Sequence, residues 1–337
     1  MQRKKELSFL NIIFCLLVIF IHVSSTPITG LLKESWQYAV IFVPWRLSAF
    51  VVQGFIFLSG LKMYLKEDSK SYFSYLKSKF TKIVCPYIFA VILFYAYFLS
   101  RNYFSFSIND LLGYIFKGDL VSHFYFVIVI VQFYLLRPIW TFIVNKIPPV
   151  TAVIASIIVM FLFKYKFSAF QYNDRLFTTY LAYWVMGCYA GKHYEILLSH
   201  IRKNKALYIS LFIPIAVFEA VISYTQFVYG GMILLEELHF VYCISAILGM
   251  AGIATLVSER ILNINLFKKI DNASYYIYLI HPLCIFITDE LLLKYGRRDI
   301  AAGFVIRFII TYTLSIFISI TYMEIKKKLR GIKNVRV

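Results

Sequence analysis

Acidic side chains and catalytic signatures are both scarce in this sequence. It holds no Walker A loop, no GxSxG turn, no HExxH pair and no His/Cys cluster at metal-ligand spacing. That removes the motif-based phosphate-loop, serine-hydrolase and zinc-protease readings. The five cysteines, Cys15, Cys85, Cys188, Cys243 and Cys284, form no CxxC pair, and all lie in or beside apolar segments. An odd, unclustered set fits neither a disulfide framework nor a zinc site, so they read as small core residues. Only 17 Asp and Glu stand against 35 Lys and Arg, a net charge of +18. In a soluble protein that balance would suggest nucleic acid. Here the basic residues collect between apolar runs and no nucleic-acid-binding motif accompanies them, so no such partner is expected. Long loops, low-complexity stretches and clear internal repeats are missing too. Whatever the protein does, it does within its apolar segments or at their two ends.

What is present is apolar surface. Hydrophobic residues make up 61% of the chain, and the mean hydropathy is +0.73. A helix crosses a bilayer with about 20 mostly apolar residues. Candidate spans run roughly over 8–25, 40–64, 82–100, 121–143, 149–163, 176–191, 206–224, 238–257, 272–292 and 302–323. The pattern predicts an all-α, polytopic integral membrane protein of about ten transmembrane helices. The 33 Phe and 27 Tyr suit interface belts and helix packing. "MQRKKE" before the first run resembles a signal peptide, but no small-residue cleavage site follows, so a retained first helix is expected. With the N-terminus cytoplasmic, the inward segments hold more than twice as many Lys and Arg as the outward loops. That asymmetry predicts a multi-pass protein of the cell membrane with both termini inside. The chain reads as one membrane-embedded domain, 1–337, whose basic tail, 324–337, touches anionic lipid.

Polar residues inside such spans are costly and mark function or packing. "NIIFCLLVIFIHVSS" carries His22 near its outer end. The ring either faces the bundle interior or rests at the interface. Asn11 lies three helical turns before it, and Cys15, Val18 and Ser25 share that face, so the polar stripe should turn toward protein. Arg46 either snorkels outward, pairs with a carboxylate, or binds an anionic group near His22. The Ser-Gly pair in "FIFLSG" permits close backbone approach. Lys79 and Lys82 lie three apart before Pro86; their spacing alone reads as interface charge, and a phosphate-rich ligand such as coenzyme A would also want them. His123 lies level with His22, at the start of a span where Gln132, Tyr134 and Arg137 descend inward. Glu219 needs a partner, and Arg46 and His22 are the candidates by depth, which would make a base and its orienter. In "YLIHPL", Pro282 frees a carbonyl in the turn before it, and His281 either lines a pocket or marks a kink.

Taken together, these stretches resemble the acyltransferase-3 family of bacterial membrane proteins. The resemblance rests on "LNIIFCLLVIFIHVSS", "FIFLSG" followed by a basic segment and "PY", "HFYFVIVIVQFYLLRP" and "ASYYIYLIHPL", in that order. It implies that His22 is catalytic, as general base or as covalent acyl carrier. Members usually carry Arg or Lys where Asn11 stands. The family's paired arginines appear as Lys79 and Lys82, which keep the charge without the bidentate fork. Its usual His-Leu-Trp-Phe appears as His123-Phe124-Tyr125-Phe126, and Arg46 stands about one turn from the family's arginine before FxxSG. The expected site is then His22 and Glu219 as catalytic residues, with Arg46, His123, Tyr125 and His281 on the acceptor. Asn11, Lys79, Lys82 and Arg137 take the donor, and no metal takes part. The implied reaction moves an acyl group, usually acetyl, from acyl-CoA to a sugar hydroxyl. Acetyl-CoA or another acyl-CoA would be a co-substrate, with no cofactor held permanently. A cell-surface or lipid-linked glycan would be the acceptor, and the polysaccharide biosynthesis machinery a partner. Two other readings compete: an exporter or accessory protein of glycan assembly, and a structural membrane protein.

Overall fold

A computed structural model describes residues 4–65, 71–231, 235–257, 261, 263–296 and 299–335, with side chains to 329 in the last helix. Every described element is helical. In chain order the main helices are α1 (Lys5–Val23), α2 (Trp36–Ser48), α3 (Val51–Tyr64), α4 (Cys85–Ser100), α5 (Ile108–Lys117), α6 (Tyr125–Leu135) and α7 (Arg137–Lys146). They continue with α8 (Pro149–Lys166), α9 (Leu181–Lys192), α10 (Lys205–Tyr229), α11 (Leu235–Leu256), α12 (Asn265–Lys294) and α13 (Ile300–Val335). Among the described residues eight helices are long and apolar enough to cross a membrane, and a pair bent by 52°, Ile108–Lys117 with Ser122–Leu135, meets the same test together. The chain is a polytopic all-α membrane protein.

All ten expected runs fall largely on helix, but several are built of more than one piece: the run at 40–64 divides at Ala49 and Phe50, between α2 and α3, and the run at 82–100 begins in a π-helical turn. The run at 121–143 breaks at Leu136, where α6 ends and Pro138 opens α7. The run at 176–191 is a 3-10 turn, Phe177–Tyr180, followed by the 12 residues of α9. Helix α5 was not among the expected spans. Ser107 caps it by accepting from the Asp110 amide at 3.2 Å, and Gly118 ends it at φ 65°. The basic tail expected from residue 324 begins as part of α13. Beyond 329 its side chains lie outside the described residues, as do Met1–Arg3 of "MQRKKE" and Lys66.

The chain forms two compact units. The first joins Met1–Val52 to Leu198–Val337. In it α12 and α13 form an antiparallel hairpin, and α10 and α11 form another. Helix α1 runs parallel to α12: Asn11 meets Asp271 and Ser274 near one end, and the His22 ring meets the His281 ring near the other. Phe20 packs edge-on against Phe304 and Phe308 of α13, and the Tyr312 hydroxyl donates to the Leu16 carbonyl at 2.6 Å.

The second unit is the continuous stretch Gln53–Leu197. Its centre is a contact of backbone on backbone. A Cβ added at Gly60 of "FIFLSG" would lie 2.6 Å from the Trp184 carbonyl, and one added at Gly187 would overlap the Phe57 carbonyl. Small residues let helices without a hydrophobic drive between them approach this closely. Gly187→Val should therefore force α3 and α9 apart. The expected result is a thermal unfolding temperature in detergent lower by several degrees; an unchanged melt would show that the contact yields freely. A π-helical turn, Phe80–Val84, leads into α4. Pro86 has no N–H and its ring would crowd the carbonyl four residues back in a regular helix, and the wider turn relieves that. The Cys85 amide reaches back to the Phe80 carbonyl instead. Val150, Ile154, Ile158 and Leu162 are exposed at four-residue spacing along α8, an apolar face that fits lipid.

Candidate active site

The first unit gathers three polar assemblies. One is the pair of rings on α1 and α12. His22 is half-buried and His281 fully buried, with centroids 5.1 Å apart and planes tilted by 49°. The His281 Nδ1 stands 2.8 Å from the Tyr278 carbonyl and 3.2 Å from that of Ile277. A carbonyl only accepts, so Nδ1 carries the proton. Of the stripe expected on α1, Asn11, Cys15 and Val18 turn to protein and His22 is half-buried, whereas Ser25 lies past the end of the helix and is exposed. Asn11 Nδ2 donates to Asp271 Oδ1 at 2.6 Å and to Ser274 Oγ at 2.8 Å, and the Cys15 thiol lies 3.5 Å from the Ser274 carbonyl.

Asn11 thus ties two helices together. A cleft opens beside it, lined by Lys5, Ser8, Ile12, Phe267, Lys268 and Asp271. Asn11→Ala removes both hydrogen bonds and should cost about 1–3 kcal/mol of stability. Thermal unfolding in detergent reads the loss, and a variant as stable as the parent would assign Asn11 no structural part.

The third assembly centres on Glu219, which is fully buried. Its Oε1 receives Arg46 Nη2 at 2.8 Å, His239 Nδ1 at 2.8 Å and the Ser223 hydroxyl at 3.3 Å. Arg46 Nε also donates to Ser223 Oγ at 2.9 Å, and Cys243 Sγ lies 3.5 Å from His239 Nε2. Of the two partners expected by depth, Arg46 is the one that meets Glu219. The other place is taken by His239, not His22. Glu219 and Ser223 are four apart on α10 and so share a face, while His239 stands near the start of α11. His239 carries no motif of its own in the sequence: "LEELHF" sets it just after two acidic residues at the start of α11.

The second unit holds the remaining expected residues. His123 is buried beside the rings of Phe94 and Phe124, and Tyr125 opens α6 half-buried. Lys79 Nζ lies 4.0 Å from the Tyr134 ring centroid and 5.3 Å from that of Tyr75, while the Arg137 guanidinium stacks at 4.2 Å over Tyr75. Two cations thus gather on two aromatic faces, an arrangement worth more where water is scarce. Lys82 is exposed on the π turn. Among the described residues no three His, Cys, Asp or Glu are placed to hold a metal ion.

The geometry offers a histidine with a fixed neighbour, a buried ion cluster and a cationic aromatic patch. Neighbouring imidazoles suit proton transfer or nucleophilic attack, since a neutral ring offers one nitrogen as donor and the other as acceptor or nucleophile. No curated protein and no solved structure matches the sequence. The model of a family of acyltransferase domains, acyltransferase 3, matches residues 5–324. With nearly the whole chain covered, the protein belongs to the acyltransferase-3 family of membrane acyltransferases.

Proposed function

We propose that this protein transfers an acyl group, acetyl foremost, from acyl-CoA to a hydroxyl of a cell-surface polysaccharide or lipid-linked glycan, with His22 as the catalytic residue. The observation that carries the reading is His22 in the first helix of a family acyltransferase, with its ring 5.1 Å from that of a fully buried second histidine. The reaction needs one His22 nitrogen with a free lone pair. In one route that nitrogen takes the hydroxyl proton as the oxygen forms its bond to the acyl carbon and the C–S bond breaks; the proton then passes to the departing sulfur. In the other, His22 carries the acyl group briefly before the hydroxyl takes it.

Lys79 and Arg137, stacked on Tyr75 and Tyr134, give the donor phosphates a cationic seat, with Lys82 exposed nearby. Asn11 borders the donor end of α1. For the acceptor the first unit offers Arg46, which Glu219 holds together with His239, and the second unit offers His123 and Tyr125, while His281 stands against the His22 ring. The protein sits in the cell membrane with both termini cytoplasmic, so the charged donor stays on the basic inner side and the glycan waits outside. It works beside the polysaccharide biosynthesis machinery.

The test uses the full chain reconstituted in lipid vesicles with acetyl-CoA and glycan extracted from the native envelope. Release of free thiol that depends on the glycan, with a matching mass increase on the glycan, is the expected result. No thiol release and no mass change with acetyl-, succinyl- or longer acyl-CoA would overturn the reading.

A further inference from the structure

His281 is followed by proline, and that dipeptide sets the chemistry of the ring before it. Pro282 has no N–H for the carbonyl of Tyr278, four residues back. Inside a bilayer such a carbonyl must find a donor from the protein. It finds the His281 ring itself, whose Nδ1 lies 2.8 Å away. The proton on Nδ1 is therefore fixed by the backbone, and in the neutral ring Nε2 is left as an acceptor. The ring cannot turn over without stranding that carbonyl, because His281 is fully buried in α12. Across from it stands His22. The two centroids lie 5.1 Å apart with the planes tilted by 49°, so a turn of the half-buried His22 ring is what brings an N–H edge to Nε2.

We propose, resting on the reading of His22 as the catalytic residue, that His281 is its positioning residue: when the His22 ring turns to it, His281 Nε2 accepts the His22 N–H and so decides which His22 nitrogen keeps its lone pair for the reaction. The chain of cause runs from Pro282 to the Tyr278 carbonyl, to the His281 tautomer, to His22. As His22 gains the hydroxyl proton it becomes cationic, and its N–H bond to His281 becomes charge-assisted and stronger. His281 gains and loses no proton in this scheme. Losing the group that fixes a catalytic histidine in its working tautomer can lower kcat by up to about 10⁴-fold, and loosening that group lowers it by less.

Pro282→Ala is the discriminating variant. It gives the Tyr278 carbonyl a backbone N–H and releases the His281 ring, while both histidines remain. The expected result is a kcat lower by about 10-fold or more, an unchanged KM for acetyl-CoA, and a melting temperature at or above the parent's. His281→Leu should lower kcat further. His281→Gln, whose amide oxygen reaches the place of Nε2, should recover part of it. If Pro282→Ala and His281→Leu both keep the parent kcat while His22→Ala is inactive, the positioning role is wrong and the reading of His22 stands. If His22→Ala is itself fully active, the failure lies with that reading. Pro282→Ala adds a hydrogen bond to the helix, so it reports even where His281→Leu does not fold.

Discussion

His22→Ala should leave the protein inserted and folded and reduce acyl transfer by about 10²–10⁴-fold, the usual contribution of a positioned acid–base group. If His22 carries the acyl group covalently, transfer should fall to background. The fold survives because other side chains hold α1. Asn11 and Cys15 still meet α12, Phe20 still packs on Phe304 and Phe308, and the Leu16 carbonyl still receives Tyr312. The ring is half-buried, so its removal leaves little void against the core. The measurement is mass spectrometry of surface glycans from a deletion strain complemented with either form. Acyl groups restored by the parent alone support the enzyme, and the mass shift names the acyl group. Equal restoration by both would make His22 a packing residue and bring the exporter reading forward. That reading expects glycan held inside the deletion strain, with acylation of any exported glycan unaffected.

Glu219→Ala should be the most destabilising single change. Burying two charges costs several kcal/mol each unless they meet good partners, and Glu219 is where those partners converge. The variant strands the Arg46 guanidinium, only 13% exposed, and leaves the His239 ring without its carboxylate. Removing one member of a buried pair costs about 3–5 kcal/mol. Poor recovery in detergent and a sharply lower melting temperature are the expected readouts. Replacing both members, Arg46→Met with Glu219→Met, should recover most of that stability, because buried pairs exchanged for packed apolar groups are often neutral. The double variant then separates structure from chemistry. A folded but inactive double variant supports roles for Arg46 and Glu219 in the reaction. One that is folded and active confines the cluster to structure.

Much of this was legible along the chain for physical reasons. The stripe of Asn11, Cys15 and His22 has a helical period, and period decides which face meets protein. Arg46 and Glu219 could be paired because an intramembrane charge demands a partner and depth limits the choice. Pro282 announced a freed carbonyl, though not that the adjacent ring would take it. Other features depend on which helices meet. Asp271 reads as part of an inner loop until α12 is seen to begin at Asn265, which brings it to Asn11. Gly187 and Gly191 are ordinary small residues until the Phe57 and Leu61 carbonyls are found against them. Helix α5 is too short to announce a span, yet its Ser107 and Asp110 cap and its terminal Gly118 are written in the sequence.

The ladder between α1 and α12 also has a history in time. Asn11 and its acceptor Asp271 are separated by 260 residues. At about 5–20 residues per second, a ribosome takes tens of seconds to make that stretch. During that interval α1 is in place with an amide and an imidazole whose partners have not been synthesised. The whole of Gln53–Leu197 is made in the gap, as an uninterrupted unit able to fold in sequence order. The histidine pair is therefore among the last features of the protein to exist. Any accident that truncates synthesis before α12 yields a membrane-inserted chain with the first histidine and none of its setting. Such a chain would expose polar groups to lipid, which suits recognition by membrane quality control, and it would have no means of completing a stray acyl transfer.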